Sequence, residues 1–405
     1  MAGLSEEELA VRSGVTISRV KEWVQAGAVR PSTRGDQSFE PADINRIRLA
    51  ESLLASGITL EDVRGAVDDG RLSFGFIGDL FPDPVDYVAG STFGEFAAER
   101  GIPMELVQQV HERLALPRPE PDDPIRADEA EYLPLATMAL GLGFSDAALT
   151  RFSRVMGENL RRLAEAQVHF FTSEVIERLI EDGVAPLAAW EQSSAVGNQM
   201  RPLFRQLLTW VYERHQETYI LDQVIEHLED VLRGRRPRGR IRARDQAIAF
   251  LDLSGFTRLT EERGDEAAAE LATTLADLVQ LASRSHDGAP VKFLGDGVMF
   301  HFQNPASAVR CSLELVRLAP QQGLPPAHVG VNVGPVVFRD GDFFGRTVNV
   351  AARVADRAGP HEVLVTDDVV RAIPDDVVRF RPIGPVELKG LAEPLALHLA
   401  EPATP

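Results

Sequence analysis

Two aspartates, Asp252 and Asp296, each close a short apolar run in the C-terminal part of this 405-residue chain. The first ends IAFLDL, and a glycine-containing loop and a helical stretch follow it. The second sits at the tip of VKFLGDGVMF, where Val291 to Leu294 and Val298 to Phe302 are pinched around Gly-Asp-Gly as in a β-hairpin. Taken singly, both are ordinary cap and turn residues. Together, two hard carboxylates without Cys or His beside them suit Mg²⁺ or Mn²⁺ rather than zinc. A carboxylate at a strand end, next to the N–H groups of a helix start, also suits a polyphosphate. A third block, DFFGRTVNVAAR from Asp342 to Arg353, sets an amide and a guanidinium, Asn349 and Arg353, four residues apart on one helix face. Lys292 lies four residues before Asp296, and Asp342 seven before Asn349.

The elements that must position these groups alternate along the chain. A strand at IAFLDL leads to an amphipathic stretch from Glu261 to Ala282, and the hairpin follows. A helix near Ala306 to Leu318, a strand at His328 to Val333, a helix from Val348 to Ala358 and a final strand, Val363 to Thr366, complete the order. That βαββαβ order with additions predicts a ferredoxin-like sandwich, and α+β as the fold class.

With their fixed internal spacing, FLDLSGFT, KFLGDGVMF and DFFGRTVNVAAR together resemble the class III nucleotide cyclases, the adenylate and guanylate cyclase homology family, over residues 246–400. The closing GPVELKGLAEPLALHLA has the same look. The resemblance implies that Asp252 and Asp296 hold two divalent ions, Mg²⁺ or Mn²⁺, with the Leu253 carbonyl a further ligand. It implies a triphosphate cradle from the amides of Ser254, Gly255, Phe256 and Thr257, and Lys389 reaching the terminal phosphates. Arg353 would stabilise charge on the α-phosphate and Asn349 would orient the ribose, so that the 3′-hydroxyl displaces pyrophosphate in line. The implied site is shared in a homodimer, with Asp252 and Asp296 from one subunit and Lys292, Asp342, Asn349 and Arg353 from the other.

Base choice follows from hydrogen-bond polarity. Adenine presents an amino donor at position 6 and an acceptor at N1; Asp342 can only accept and Lys292 can only donate. Guanine reverses both and would leave two contacts unsatisfied, at about 1–3 kcal/mol each. ATP is the expected substrate and cyclic AMP the expected product. The arm GPVVFRDGD, Gly334 to Asp342, is shorter than in many family members. That short form resembles a mycobacterial-type subgroup with autoinhibited, pH-responsive members, which implies a regulatory N-terminal half from about Gly57 onward.

Upstream of residue 233 the chain is rich in helical patterns and carries an internal repeat. SEEELAVRSGVTISRVKEWVQAGAV, from Ser5, parallels TFGEFAAERGIPMELVQQVHERLAL, from Thr92, each with a glycine between two short helices. The first copy resembles MerR-type helix-turn-helix regulators. Domains are therefore expected at 1–75 (helix-turn-helix), 76–232 (a second copy plus stacked amphipathic helices, all helical), 233–245 (linker) and 246–400 (catalytic). The linker, RGRRPRGRIRAR, holds seven arginines in twelve positions. Trp190, Trp210 and the Phe170-Phe171 pair are expected in the helical core.

The net charge of −19 argues against a general nucleic-acid binder. Ser5 to Thr59 holds seven Lys/Arg against eight Asp/Glu, and Ser91 to Ser145 four against ten. Only the first copy keeps candidate DNA contacts, Arg19 and Lys21 with Arg30 and Arg34 near the wing. A DNA-binding regulator with a weakly active, nucleotide-sensing cyclase domain is the alternative; the complete set of six site residues weighs against it. One cysteine, Cys311, excludes an intramolecular disulfide and suits a reducing cytosol. The N-terminus lacks the pattern of a secretory signal, and the apolar stretch Leu133 to Phe144 is too short to span a bilayer. A cytoplasmic enzyme is expected, and its input, whether pH, a lipid, a small molecule or a protein, stays open.

Overall fold

The structure is a computed structural model that describes residues 3–31, 38–81, 87–232, 246–374 and 378–403. It divides into two compact units, Met1–Leu232 and Arg233–Pro405. The arginine-rich segment 233–245 and Arg34 lie outside the described residues.

In the second unit, β1 (Gln246–Leu253) is followed by α1 (Phe256–Arg263), α2 (Asp265–Ser285), the hairpin of β2 (Gly288–Leu294) and β3 (Gly297–Phe302), α3 (Pro305–Leu318) and β4 (Ala327–Gly334). A small hairpin, β5 (Val337–Arg339) and β6 (Asp342–Phe344), leads into α4 (Arg346–Arg357), β7 (Val363–Thr366), α5 (Asp367–Ala372), β8 (Val378–Val386) and β9 (Leu395–Pro402). The sheet runs β8-β9-β7-β4-β1-β3-β2. Its segment β4-β1-β3-β2 is antiparallel throughout, the ferredoxin-like arrangement expected. β7 adds in parallel beside β4 through α4.

β1 is buried on both faces, which is why it reads as an unbroken apolar run. Ala247, Ala249, Leu251 and Leu253 enter the main core with Leu275, Val279, Val309 and Leu315 of α2 and α3. Ile248 enters a second core, with Met299, Val348 and Ala351, between the opposite face and α4. Two sequence expectations differ. The stretch beginning at Glu261 is broken between α1 and α2, because Gly264 takes φ +86° and ends the first helix. Val363–Thr366 is not the last strand: β8 and β9 extend its side of the sheet. β8 escapes notice because Pro382 and Pro385 interrupt it, and proline is tolerated there because β8 is the edge strand.

In the first unit, helices Glu6–Ser13 and Ile17–Gln25 meet at Gly14 (φ +68°) and pack Leu9, Val20 and Trp23 against Ile44 and Ile47 of helix Ala42–Ala55. The second copy, Phe93–Glu99 and Met104–Arg113, turns at Gly101 (φ +64°). This half is not wholly helical: Tyr87–Thr92 pairs with Pro124–Arg126, and the ribbon buries Ile125 against Phe93 and Phe96. The helices Asp146–Phe171 and Pro186–Leu232, the latter 47 residues long, follow. Trp210 is 59% exposed, Phe170 51% and Trp190 40%, so these rings are not core as expected. The long helix presents Leu203, Leu207, Tyr219, Leu221 and Leu228 to solvent as well. Helical periodicity marks an apolar stripe but does not say whether its cover lies in the same chain.

Candidate active site

The groups singled out by spacing gather on the α4 face of the sheet or at its edge. Side chains alternate along β1, so Asp252 leaves on the same face as Ile248 and Phe250. Lys292 pairs with Met299 across the β2–β3 ladder and shares that face. Asp296 occupies the tip between β2 and β3, where Gly295 takes φ +72°. Gly297 lets the tip close on β1: a Cβ there would lie 3.2 Å from the Leu251 carbonyl and 3.3 Å from Asp252 Oδ1.

Asp252 is half exposed, and burial, then the Asp296 charge, raises its carboxyl above the ordinary aspartate range. Two mutually repelling carboxylates at the mouth of a glycine-lined turn fit a hard divalent cation, which would relieve that repulsion. Beside them Gly255 (φ +79°) caps the start of α1, and the first N–H groups face outward from the helix end. The Ser254 amide is not free for a cradle, because it donates to the Pro326 carbonyl at 2.8 Å. The amides of Gly255, Phe256 and Thr257 are left as candidates.

Lys292 Nζ donates to Asp342 Oδ2, and the Phe343 N–H holds the other carboxylate oxygen at 2.8 Å. Phe343 packs on His301 at 4.6 Å and on Phe338 at 5.0 Å, so the β5–β6 hairpin is pinned to the sheet and Asp342 with it. The pair offers one donor and one acceptor side by side.

α4 buries Val348, Ala351, Val354 and Ala355, the i, i+3, i+6, i+7 face, and leaves Asn349 and Arg353 on its outer side. Arg353 is 45% exposed and paired with Asp356 at 2.8 Å. Lys389 is exposed in the turn between β8 and β9, beyond the side of the sheet away from Lys292.

Three positioning features escaped the sequence reading. Gly330 brings α4 onto β4, since a Cβ there would stand 2.0 Å from the Ala355 nitrogen. Asn332, buried in the same row, donates to the Thr347 carbonyl at 3.1 Å and accepts from Thr366 at 2.7 Å. The Thr347 hydroxyl donates to the Pro335 carbonyl at 2.7 Å, so the first turn of α4 is bolted down twice. His328 stands opposite Asp252 in the β1–β4 ladder. The signal was present in AHVGVNVG, where His, Gly and Asn fall on alternate residues of an otherwise apolar strand.

Of the candidate DNA contacts in the first unit, Arg30 is exposed, and the two on helix Ile17–Gln25 are already engaged. Arg19 lies 2.7 Å from Glu22 and 3.1 Å from Glu51, and Lys21 lies 3.7 Å from Glu6. Among the described residues no helix is long and apolar enough to cross a membrane.

Residues 242–400 match the adenylate and guanylate cyclase catalytic domain, residues 40–215 the adenylate cyclase regulatory domain and residues 4–69 the MerR helix-turn-helix regulatory family. A pH-sensitive adenylate cyclase of Mycobacterium tuberculosis is 31% identical over 366 residues, 86% of each chain. An adenylate cyclase of Streptomyces coelicolor is 32% identical over 262 residues, 62% of this chain and 63% of that one. The structure of an adenylyl cyclase from P. aeruginosa aligns with 40% of this chain and 95% of its own length, at 23% identity and a TM-score of 0.37.

Proposed function

The chain belongs to the adenylate and guanylate cyclase family and is an adenylate cyclase, and from that premise we propose that it converts ATP to 3′,5′-cyclic AMP and pyrophosphate at a site shared by two copies of itself. The observation that carries the reading is the Lys292–Asp342 pair. Lysine keeps N–H groups to spare and the carboxylate keeps lone pairs, so an adenine edge can bind across both without breaking the pair. Divalent ions held at Asp252 and Asp296, with the Leu253 carbonyl, supply Lewis acidity toward the 3′-hydroxyl and the α-phosphate and neutralise the polyphosphate.

The chain's own groups do the rest. The amides at the start of α1 receive phosphate oxygens, helped by the helix dipole. Asn349 orients the ribose so that its 3′-oxygen lines up behind the α-phosphorus. Arg353 meets charge that grows on the α-phosphate, which matters most in the transition state. Lys389 is assigned to the terminal phosphates.

Sharing is supported by the direction of α4. Its Asn349 and Arg353 are exposed on the side of the helix that does not pack on the sheet, so they are open to a partner's carboxylates. The exposed apolar stripe of Pro186–Leu232 is a second surface that a homodimer would cover. The N-terminal unit is assigned a regulatory role; pH is the input suggested by the relative's name, and a small molecule, lipid or protein is equally compatible with this architecture. DNA is disfavoured, because the cations of helix Ile17–Gln25 are spent on neighbouring carboxylates.

The test is turnover of ATP and GTP by the full chain with Mg²⁺ or Mn²⁺. ATP should be used at least about thirtyfold better, from two mismatched contacts of about 1–3 kcal/mol each. Comparable cyclic GMP formation would refute the assignment of Lys292 and Asp342.

A further inference from the structure

His328 is the direct partner of Asp252 in the antiparallel β1–β4 ladder, so both side chains leave the sheet on the same face. The ring is 12% exposed. Its Nε2 lies 3.8 Å from Asp252 Oδ2, and its Nδ1 lies 3.1 Å from the Ser254 hydroxyl. Ser254 is itself anchored through its amide to Pro326. A chain of contacts therefore runs from the β1–α1 loop through the imidazole to the carboxylate.

The tautomer follows from the partners. A serine hydroxyl can donate or accept, but a carboxylate beside Nε2 favours a proton there. Ser254 then donates to Nδ1, and Nε2–H points toward Asp252. At 3.8 Å this is a charge–dipole contact rather than a hydrogen bond. It leaves the carboxylate's lone pairs available while fixing which way they face.

Asp252 needs such a partner. Its charge is opposed first by burial and then by Asp296 and Asp356, and favoured by His328 and the Leu253 N–H. The terminal torsion of an aspartate is broad, so an unsupported carboxylate would turn away from its like-charged neighbours. We propose that His328 is a positioning residue, held by Ser254, that keeps the Asp252 carboxylate aimed for divalent-cation binding. The inference rests on Asp252 being a metal-holding group. Hydrogen-bonded outer-shell partners tune metal affinity by about 10–100-fold, and this longer contact belongs at the low end, about tenfold.

The experiment titrates Mn²⁺ into the full chain in the presence of 3′-deoxy-ATP, which lacks the attacking hydroxyl. Binding is read as loss of the free-ion EPR signal against nucleotide alone. His328→Leu should bind Mn²⁺ about tenfold more weakly and recover most of its kcat at saturating Mn²⁺. His328→Gln, whose amide can place an N–H near the Nε2 position, should stay within about threefold of the original chain by the same scale. Ser254→Ala, which releases the ring from behind, should weaken binding in the same direction but less. Unchanged Mn²⁺ affinity in His328→Leu overturns the proposal; if that variant does not melt cooperatively, unchanged affinity in Ser254→Ala overturns it. Asp252→Ala separates the two levels. If it binds Mn²⁺ as well as the original chain, the metal assignment itself falls and the role of His328 with it.

Discussion

Replacing Gly330 with alanine adds one methyl group at the point where α4 crosses β4. The added carbon would lie 2.0 Å from Ala355 N, 2.6 Å from Ala355 Cα and 2.6 Å from the Val354 carbonyl carbon. All three are backbone atoms, so no rotamer change relieves the clash. Ordinary contact begins at 3.4 Å, and α4 must therefore retreat by about 1.4 Å at this point. The first turn cannot follow freely, being held by Asn332 and by the Pro335 carbonyl. The helix should pivot about Thr347, moving Arg353 more than Asn349. Overpacking of this kind costs about 1–3 kcal/mol of stability. A misplacement of about 1 Å in a catalytic group costs on the order of a hundredfold in rate. Because Lys292 and Asp342 are not on α4, kcat should fall about a hundredfold while KM for ATP changes by only a few-fold. Steady-state cyclic AMP formation and a thermal melt read both effects. A variant with kcat within twofold of the original and an unchanged melt would refute the placement of α4 on which the shared site depends.

Asp296→Ala and Asn349→Ala should each be inactive alone, yet mixed dimers of the two should regain up to about a quarter of the original activity, since half the pairs are mixed and each has one intact site. Heterodimers seen by native mass spectrometry without cyclic AMP formation would show that both residues serve one subunit. Asp252→Asn should abolish metal-dependent turnover while raising the melting midpoint near pH 7 in EDTA. The folded state raises this carboxyl's pKa, so its charge opposes folding above that value, and the gain should shrink as pH falls through the ordinary aspartate value of about 4 and vanish once both states are protonated, at about pH 3. A midpoint that falls at neutral pH would contradict the sign. A chain starting at Arg238 should differ several-fold in specific activity from the full chain and lose any pH dependence not intrinsic to residues 246–400; identical rates and profiles would deny the N-terminal unit a regulatory role.

What was legible in the sequence was local. Asp252 at the end of a buried strand, Asp296 in a Gly-Asp-Gly turn, and Asn349 and Arg353 on one helix face are each set by a few consecutive residues. The order of strands and helices then restricts the fold to few topologies. What escaped depends on register between distant segments. His328 matters because it meets Asp252 across a ladder 76 residues apart in the chain, and Gly330 because α4 returns over it. The Ser254 amide looked available until the chain at Pro326 came back to take it. Trp210 has a core residue's composition and helical spacing, and only the folded chain reveals that it is left in water.

The exposure of Asn349 and Arg353 on the outer side of α4 has a kinetic consequence if they serve a partner's site. A protomer that cannot reach its own carboxylates is silent alone, so in the proposed arrangement output below the dimer dissociation constant rises with the square of the amount of chain present. Doubling expression would then quadruple second-messenger production in that range, and only double it once pairing is complete. Abundance itself becomes an input, layered beneath whatever the N-terminal unit senses. A dilution series of specific activity, flat at high concentration and proportional to concentration at low, would trace that changeover directly.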